Sequence, residues 1–168
     1  MVPIHKLTRL QRHTLNQCMR VNHAGEVGAN FIYRGQLSFV PSSLKPTIQH
    51  MKDQELVHMD TFNRLLPETN TRPSLLLPLW KMSGFLLGSV TALGGKEMAM
   101  LCTDAVETSI SKHYNDQLRI LIELENEVDP ALKSYIQSLQ QTVKQFRDEE
   151  LEHKEIACLL YTSPSPRD

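Results

Sequence analysis

The sequence predicts an all-α fold, an antiparallel bundle of long helices, on three observations. Apolar residues recur at three- and four-residue spacing, as in Phe31, Tyr33, Leu37 and Val40, or Ile120, Leu121 and Leu124. That is the period of one helix face. No stretch alternates cleanly and neither Asn-Gly nor Asp-Gly occurs, so strand and hairpin signals are nearly absent. Prolines then cut the chain into long segments with short connections, the pattern of antiparallel neighbours in a bundle.

The elements follow in order. A helix near 10–39 stops ahead of the loop bracketed by Pro41 and Pro46, and a second near 46–66 runs to Pro67. The stretch from Pro67 to Pro78 reads as a loop leading into a third helix near 76–90. A fourth near 94–127 ends before Pro130, and a fifth near 131–160 follows it. The third is unusual, because "PSLLLPLWKMSGFLLGSVTALGG" (73–95) is interrupted only by Lys81 and its uncharged run covers just 82–95. A membrane span needs about 20 apolar residues, so this segment is short for crossing a bilayer. Two readings fit: a buried core helix, or a segment dipping into one leaflet with Trp80 at headgroup level and Lys81 snorkelling.

Composition bounds the function. With 168 residues, the chain has room for one domain with a real core. A 40% hydrophobic and 22% charged content is that of a globular protein. The net charge of −1, with basic residues spread along the chain, argues against nucleic acid as a partner. Cys18, Cys102 and Cys158 are far apart and form no C-x-x-C, so neither a disulfide framework nor a zinc knuckle is indicated. The N-terminal basic segment, 1–13, holds Lys6, Arg9 and Arg12, and no acid precedes Glu26. It reads either as the end of a mitochondrial transit peptide or as a basic first helical turn. Residues 14–160 form the helical domain. The tail "YTSPSPRD" (161–168) breaks the amphipathic pattern with two Ser-Pro pairs and reads as a non-native sequence scar.

The chemistry lies in a repeated motif. "DQELVHMD" and "DEELEHKE" each place a histidine three residues after a glutamate: Glu55/His58 and Glu150/His153. Twelve glutamates and seven histidines in 168 positions give about half of one such match by chance, so one copy would mean little. Residues three apart on a helix are separated by about 60° of rotation, so each pair projects from one face. A four-helix di-metal site needs two further glutamates from the other helices. Glu26, among Ala24, Gly25, Gly28 and Ala29, and Glu107, in "CTDAVETSI", are the candidates, since burying either carboxylate unpartnered is costly. The order is then a single-glutamate helix followed by an E-x-x-H helix, twice. Four carboxylates and two imidazoles favour paired iron over zinc. Glu149 also shares the face of His153 and is a lesser ligand candidate; its counterpart in the first copy is Gln54.

The stretches "RVNHAGEVGANFIYRGQ", "DQELVHMDTFN", "LWKMSGFLLGSVTALGGKEMAM", "VETSISKHYNDQLR" and "FRDEELEH" resemble the demethoxyubiquinone hydroxylase family, over roughly residues 14–158. The resemblance implies a ferritin-like four-helix bundle with an additional short hydrophobic membrane-associating helix. It implies a monooxygenase that hydroxylates the demethoxyubiquinol ring with O2, with Glu26, Glu55, His58, Glu107, Glu150 and His153 holding two iron ions. NADH is the reductant it suggests, although no G-x-G-x-x-G fingerprint is present. It further implies a peripheral protein on the matrix side of the mitochondrial inner membrane, or the cytoplasmic face of a bacterial one, seated through 75–95. A lipid-binding partner protein would present the quinone, and a homo-oligomer is compatible. The chain departs from the family in two places. The further helix that follows the second E-x-x-H gives way to the 161–168 tail, and the Glu107–Glu150 spacing is longer, with "ELENEVDPALKSYIQ" extending the helix ends around Pro130 away from the metals.

Other residues carry weaker expectations. Tyr114, seven residues after Glu107, would share the ligand face and either donate to the quinone or oxygen or simply pack in the core. The adjacent His113 would support the ligands or relay electrons. His23 either orients Glu26 or lies on the surface near a helix start, the reading we favour. Gly25, Gly28 and Gly88 would leave room for an isoprenoid tail or permit close helix packing. The rival functions are a ferritin-like oxidase or peroxide scavenger with no organic substrate, and a non-catalytic helical protein of the membrane surface.

Overall fold

A computed structural model describes residues 4–162. The secondary structure is helical throughout that range: α1 (Arg9–Phe39), α2 (Lys45–Glu68), α3 (Leu77–Leu93), α4 (Lys96–Glu127) and α5 (Pro130–Thr162), preceded by one 3-10 turn at Ile4–Lys6. The helices expected from sequence are all present, with no end shifted by more than three residues. The largest local difference concerns proline. Pro67 lies in the last turn of α2 rather than in the loop, and Pro78 lies in the first turn of α3. A first-turn proline loses no helical hydrogen bond, while Thr69 closes α2 through its backbone N–H and its hydroxyl, which both donate to Leu65 O.

The basic N-terminal stretch is built into the fold. Thr8 and Gln11 form a reciprocal capping box at the start of α1. Lys6 Nζ meets Asp129 Oδ1 at 3.1 Å and Gln11 donates to Glu127 O, tying this end to the α4–α5 turn. Tail residues 161 and 162 continue α5; the rest of the tail lies outside the described residues.

Two hairpins, α1–α2 and α4–α5, enclose the interior. Two apolar clusters fill it. One gathers Leu15, Met19, Phe62, Leu121, Leu132, Ile136 and Phe146, and the other Tyr33, Ile48, Met51, Ala99 and Met100. The long helix ends around Pro130 belong to the first cluster. From Glu107 to the end of α4 the helix rises by roughly 30 Å, so the added length extends the apolar end of the bundle.

The buried-core reading of 73–95 is overturned. On α3 only the small residues Gly84, Gly88, Ser89 and Ala92 are buried, while Leu79, Trp80, Met82, Leu86 and Val90 are exposed. Small residues let backbones approach, and α3 therefore rides directly on α1. A Cβ on Gly88 would fall 2.0 Å from Ile32 O. Gly95, with φ 102°, then turns the chain into α4. No described helix is long and apolar enough to cross a membrane.

Candidate metal centre

Between the two apolar clusters lies a polar layer made of the six residues singled out by the repeat. Glu26 (α1), Glu55 and His58 (α2), Glu107 (α4), and Glu150 and His153 (α5) are each at most 1% exposed. Their potential ligand atoms fall into two overlapping groups, each within 4.8 Å: Glu26, Glu55, His58 and Glu150, and Glu55, Glu107, Glu150 and His153. Glu55 and Glu150 belong to both. Each group could hold a cation, and the two share a pair of carboxylates, with one further glutamate and one histidine apiece.

Both histidines turn Nδ1 inward. His58 Nδ1 lies 3.2 Å from Glu150 Oε1 and 3.5 Å from Glu26 Oε2. His153 Nδ1 lies 3.2 Å from Glu150 Oε2 and 3.3 Å from Glu55 Oε1. The outer nitrogens are held across the bundle, His58 Nε2 by Glu149 Oε2 at 2.6 Å and His153 Nε2 by Gln54 Oε1 at 2.9 Å. Glu149 is thus not a ligand candidate in this geometry. It stands one residue before Glu150, on the outer side of the ring, and orients His58.

Two phenols close the layer. Tyr114 Oη donates to Glu26 Oε1, and Tyr33 Oη donates to Glu107 Oε1 at 2.5 Å. Burial, then the neighbouring carboxylates, pushes both phenols well above their usual value of 10.0. They stay protonated donors at any physiological pH. Of the two readings of Tyr114, a donor to quinone or oxygen and a core tyrosine, the structure gives the core position, with a carboxylate as the acceptor of its hydroxyl. Tyr33 was missed, although it stands seven residues after Glu26, as Tyr114 does after Glu107.

The charges are badly matched without a cation. Burial, then Glu150, Glu26 and Glu107, raises Glu55 well above its ordinary 4.5, and burial followed by Glu150 does the same to Glu107. Glu150 goes the other way: burial opposes its ionisation, but the hydrogen bond with His153 and the nearby His58 imidazole hold it at about 2. Burial would lower His58, yet the carboxylates of Glu150 and Glu26 close to its Nδ1 lift it to about 11. Glu26 Oε2, both oxygens of Glu55, His58 Nδ1, Glu107 Oε2 and Glu150 Oε1 are buried without a hydrogen bond. Such orphaned atoms are costly unless a cation satisfies them, and all point into the same layer. The donor set, oxygen-rich with two imidazoles, fits a pair of hard to borderline divalent ions.

The remaining sequence candidates lie around this layer. His113 Nε2 lies 3.2 Å from Asn22 Oδ1 and 2.8 Å from Gln117 Nε2, in a network joining α4 to α1. His23 is neither at a helix start nor on the carboxylate. It is buried in the middle of α1, where its Nε2 meets Asn63 Oδ1 of α2 at 2.9 Å. The glycines divide: Gly88 serves close packing, whereas a Cβ on Gly25 or Gly28 would meet nothing within 4 Å. These two open onto a cavity of about 850 Å³ between α1, α3 and α4, lined by residues such as Ile32, Trp80, Leu101 and Val106. Its floor is formed by the stretches of α1 and α4 that carry Glu26 and Glu107. The cavity depends on how α3 lies across α1, which no local pattern encodes.

Known proteins are similar to this sequence. The chain is 49% identical over 148 residues to "NADPH-dependent 3-demethoxyubiquinone 3-hydroxylase, mitochondrial" of Rattus norvegicus, covering 88% of the chain and 65% of the relative. It is 46% identical over 158 residues to "5-demethoxyubiquinone hydroxylase, mitochondrial" of Saccharomyces cerevisiae, covering 90% and 68%. It is 42% identical over 144 residues to "3-demethoxyubiquinol 3-hydroxylase" of Rhodospirillum rubrum, covering 84% and 63%. The chain thus spans just under two thirds of the length of the rat relative. The model of the family "Ubiquinone biosynthesis protein COQ7" matches residues 13–166, and the chain belongs to that family.

Proposed function

We propose that this chain is the metal-binding bundle of a monooxygenase that hydroxylates the ring of demethoxyubiquinol with O2. The observation that carries the reading is the pair of overlapping four-residue groups sharing Glu55 and Glu150, set beside an apolar cavity. Glu26, His58, Glu107 and His153 would be the terminal ligands of two iron ions, with Glu55 and Glu150 between them. Paired iron supplies the redox capacity to activate O2. The chain's own residues do the rest. The shared carboxylates balance the cationic charge, Tyr33 and Tyr114 hold the terminal glutamates in place, and the two apolar clusters exclude water.

The cavity suits a substituted quinol ring with an apolar tail, since small-molecule sites are mostly apolar clefts of about 300–1,000 Å³. Its rim includes Leu76 and Trp80, which belong to the exposed apolar surface of α3. That overlap between the cavity rim and the exposed apolar face of α3 supports peripheral seating on the mitochondrial inner membrane through this helix. The same surface is available to a lipid-binding partner protein or a second copy of the chain. NADH is the reductant that the family resemblance implies, whereas the name of the rat relative specifies NADPH, so we assign NADPH here. We assign a supporting role on that electron path to His113, which is half-buried beside Tyr114 and hydrogen-bonded to Asn22 of α1.

The test is a single turnover. Iron-loaded, reduced protein is mixed with 18O2 and a short-tail demethoxyquinol, and the product is analysed by mass spectrometry. One 18O atom in the hydroxylated ring is the expected result. Oxygen consumption with the quinol recovered unchanged would instead establish the ferritin-like oxidase.

A further inference from the structure

Around the metal layer the two halves of the chain correspond position by position. Asn22, Glu26, Tyr33 and Gln36 of α1 have the spacing of Thr103, Glu107, Tyr114 and Gln117 of α4. Their hydrogen bonds cross reciprocally. Tyr33 reaches Glu107 while Tyr114 reaches Glu26, and Gln36 Nε2 donates to Thr103 Oγ1 while Gln117 Nε2 donates to Asn22 Oδ1. On α2 and α5, Gln54, Glu55 and His58 correspond to Glu149, Glu150 and His153. Each histidine's Nε2 again meets the other half, His58 at Glu149 and His153 at Gln54. At that last pair the correspondence breaks in charge: one histidine is backed by a carboxylate, the other by a neutral amide.

We infer that this difference makes the two cation positions unequal, the one built from Glu26 and His58 binding more tightly than the one built from Glu107 and His153. Glu149 and Gln54 act as positioning residues that set the order. The inference rests on the metal-centre reading above. Both acceptors fix the same tautomer, with Nε2 protonated and Nδ1 free to ligate, so orientation alone does not separate the positions. Charge does. A carboxylate 2.6 Å from Nε2 draws the shared proton and leaves Nδ1 of His58 the stronger donor, and it adds one negative charge close to the cation. The amide of Gln54, at 2.9 Å, does neither. Glu149 is kept in place by Gln145 Nε2, which donates to its other oxygen at 2.9 Å, and Phe146 covers the His58 ring at 4.0 Å between centroids. The Glu149 side chain is 26% exposed, so solvent weakens its field without removing it. The tyrosine bonds to the terminal glutamates occur on both sides and cancel in the comparison.

Anaerobic titration of the metal-free chain with Co2+, followed by ligand-field absorption and calorimetry, tests this. Glu107→Ala leaves the Glu26/His58 position and Glu26→Ala leaves the other. The first variant is expected to bind its ion about tenfold or more tightly than the second. Glu149→Gln should weaken binding about tenfold or more in the Glu107→Ala background only, and Gln54→Glu should strengthen it in the Glu26→Ala background only. The double exchange Gln54→Glu/Glu149→Gln should reverse the order. Equal affinities in the two backgrounds, or a Glu149→Gln effect of the same size in both, would overturn the inference while leaving the metal centre intact. Failure of the unmutated chain to bind Co2+ would refute the metal centre, and this inference with it. Should Glu149→Gln not fold, the Gln54→Glu arm decides by itself.

Discussion

Glu55 belongs to both ligand groups, so replacing it tests the centre from two opposite directions. Glu55→Gln keeps the volume and removes the ionisable group. In the metal-free chain that removes a carboxyl whose ionisation is opposed by burial, Glu150, Glu26 and Glu107, and whose two oxygens make no hydrogen bond. The burden is of the order found for one unsatisfied buried polar group, roughly 1–3 kcal/mol. Glu55→Gln should accordingly stabilise the metal-free chain by about 1–3 kcal/mol, or about 3–10 °C in Tm for a chain of this size. In the presence of Fe2+ the sign reverses. Both positions lose a ligand, metal content falls from two ions toward none, and the stabilisation by added metal disappears. Glu107→Gln, which touches one group only, should retain about one ion. Calorimetric melting with chelator and with Fe2+, together with elemental analysis, measures all of this. A Glu55→Gln chain that melts lower without metal and still carries two ions would refute the reasoning.

The pH dependence has a definite sign. Glu55, Glu107 and His58 all have folded values above their unfolded ones. Their contribution to stability is therefore full at low pH and lost as pH rises from about 4.5 for the carboxyls and 6.5 for the histidine. Glu150, held at about 2, loses its contribution only below 4.5. The metal-free chain should thus melt higher at pH 5.5 than at pH 7.5, and the metal-loaded chain lower, because ligands must shed protons to bind. Tyr33→Phe and Tyr114→Phe should each cost about 1–3 kcal/mol in denaturant unfolding by leaving a buried carboxylate without its donor, and the two values should be alike. Gly28→Ala has open space for its methyl and should stabilise α1 by about 0.5–1 kcal/mol. Gly88→Ala would push α3 off α1 and cost about 1–3 kcal/mol in thermal or denaturant unfolding. Gly25→Leu projects into the cavity, so it should suppress quinol turnover while leaving iron content unchanged.

What the sequence determined by itself was whatever depends on neighbours along one helix. Apolar period gave five helices, and the three-residue step from Glu55 to His58 and from Glu150 to His153 put each pair on one face. The ordered repeat also named Glu26 and Glu107, because a carboxylate set among small and apolar residues needs a partner. Tyr33 was legible in the same way, at the same step of seven from its glutamate as Tyr114, and so was the buried face of α3, as Gly84, Gly88 and Ala92 four residues apart. The tertiary structure alone decided which groups meet across the bundle. Whether Glu149 ligates a metal or backs His58, whether His23 holds a carboxylate or Asn63, and whether Gly25 faces a helix or a cavity all turn on the rotation and axial offset of one helix against another. Those are set by side-chain packing over whole interfaces, a sum of many weak contacts between residues distant in the chain, and no local spacing records that sum.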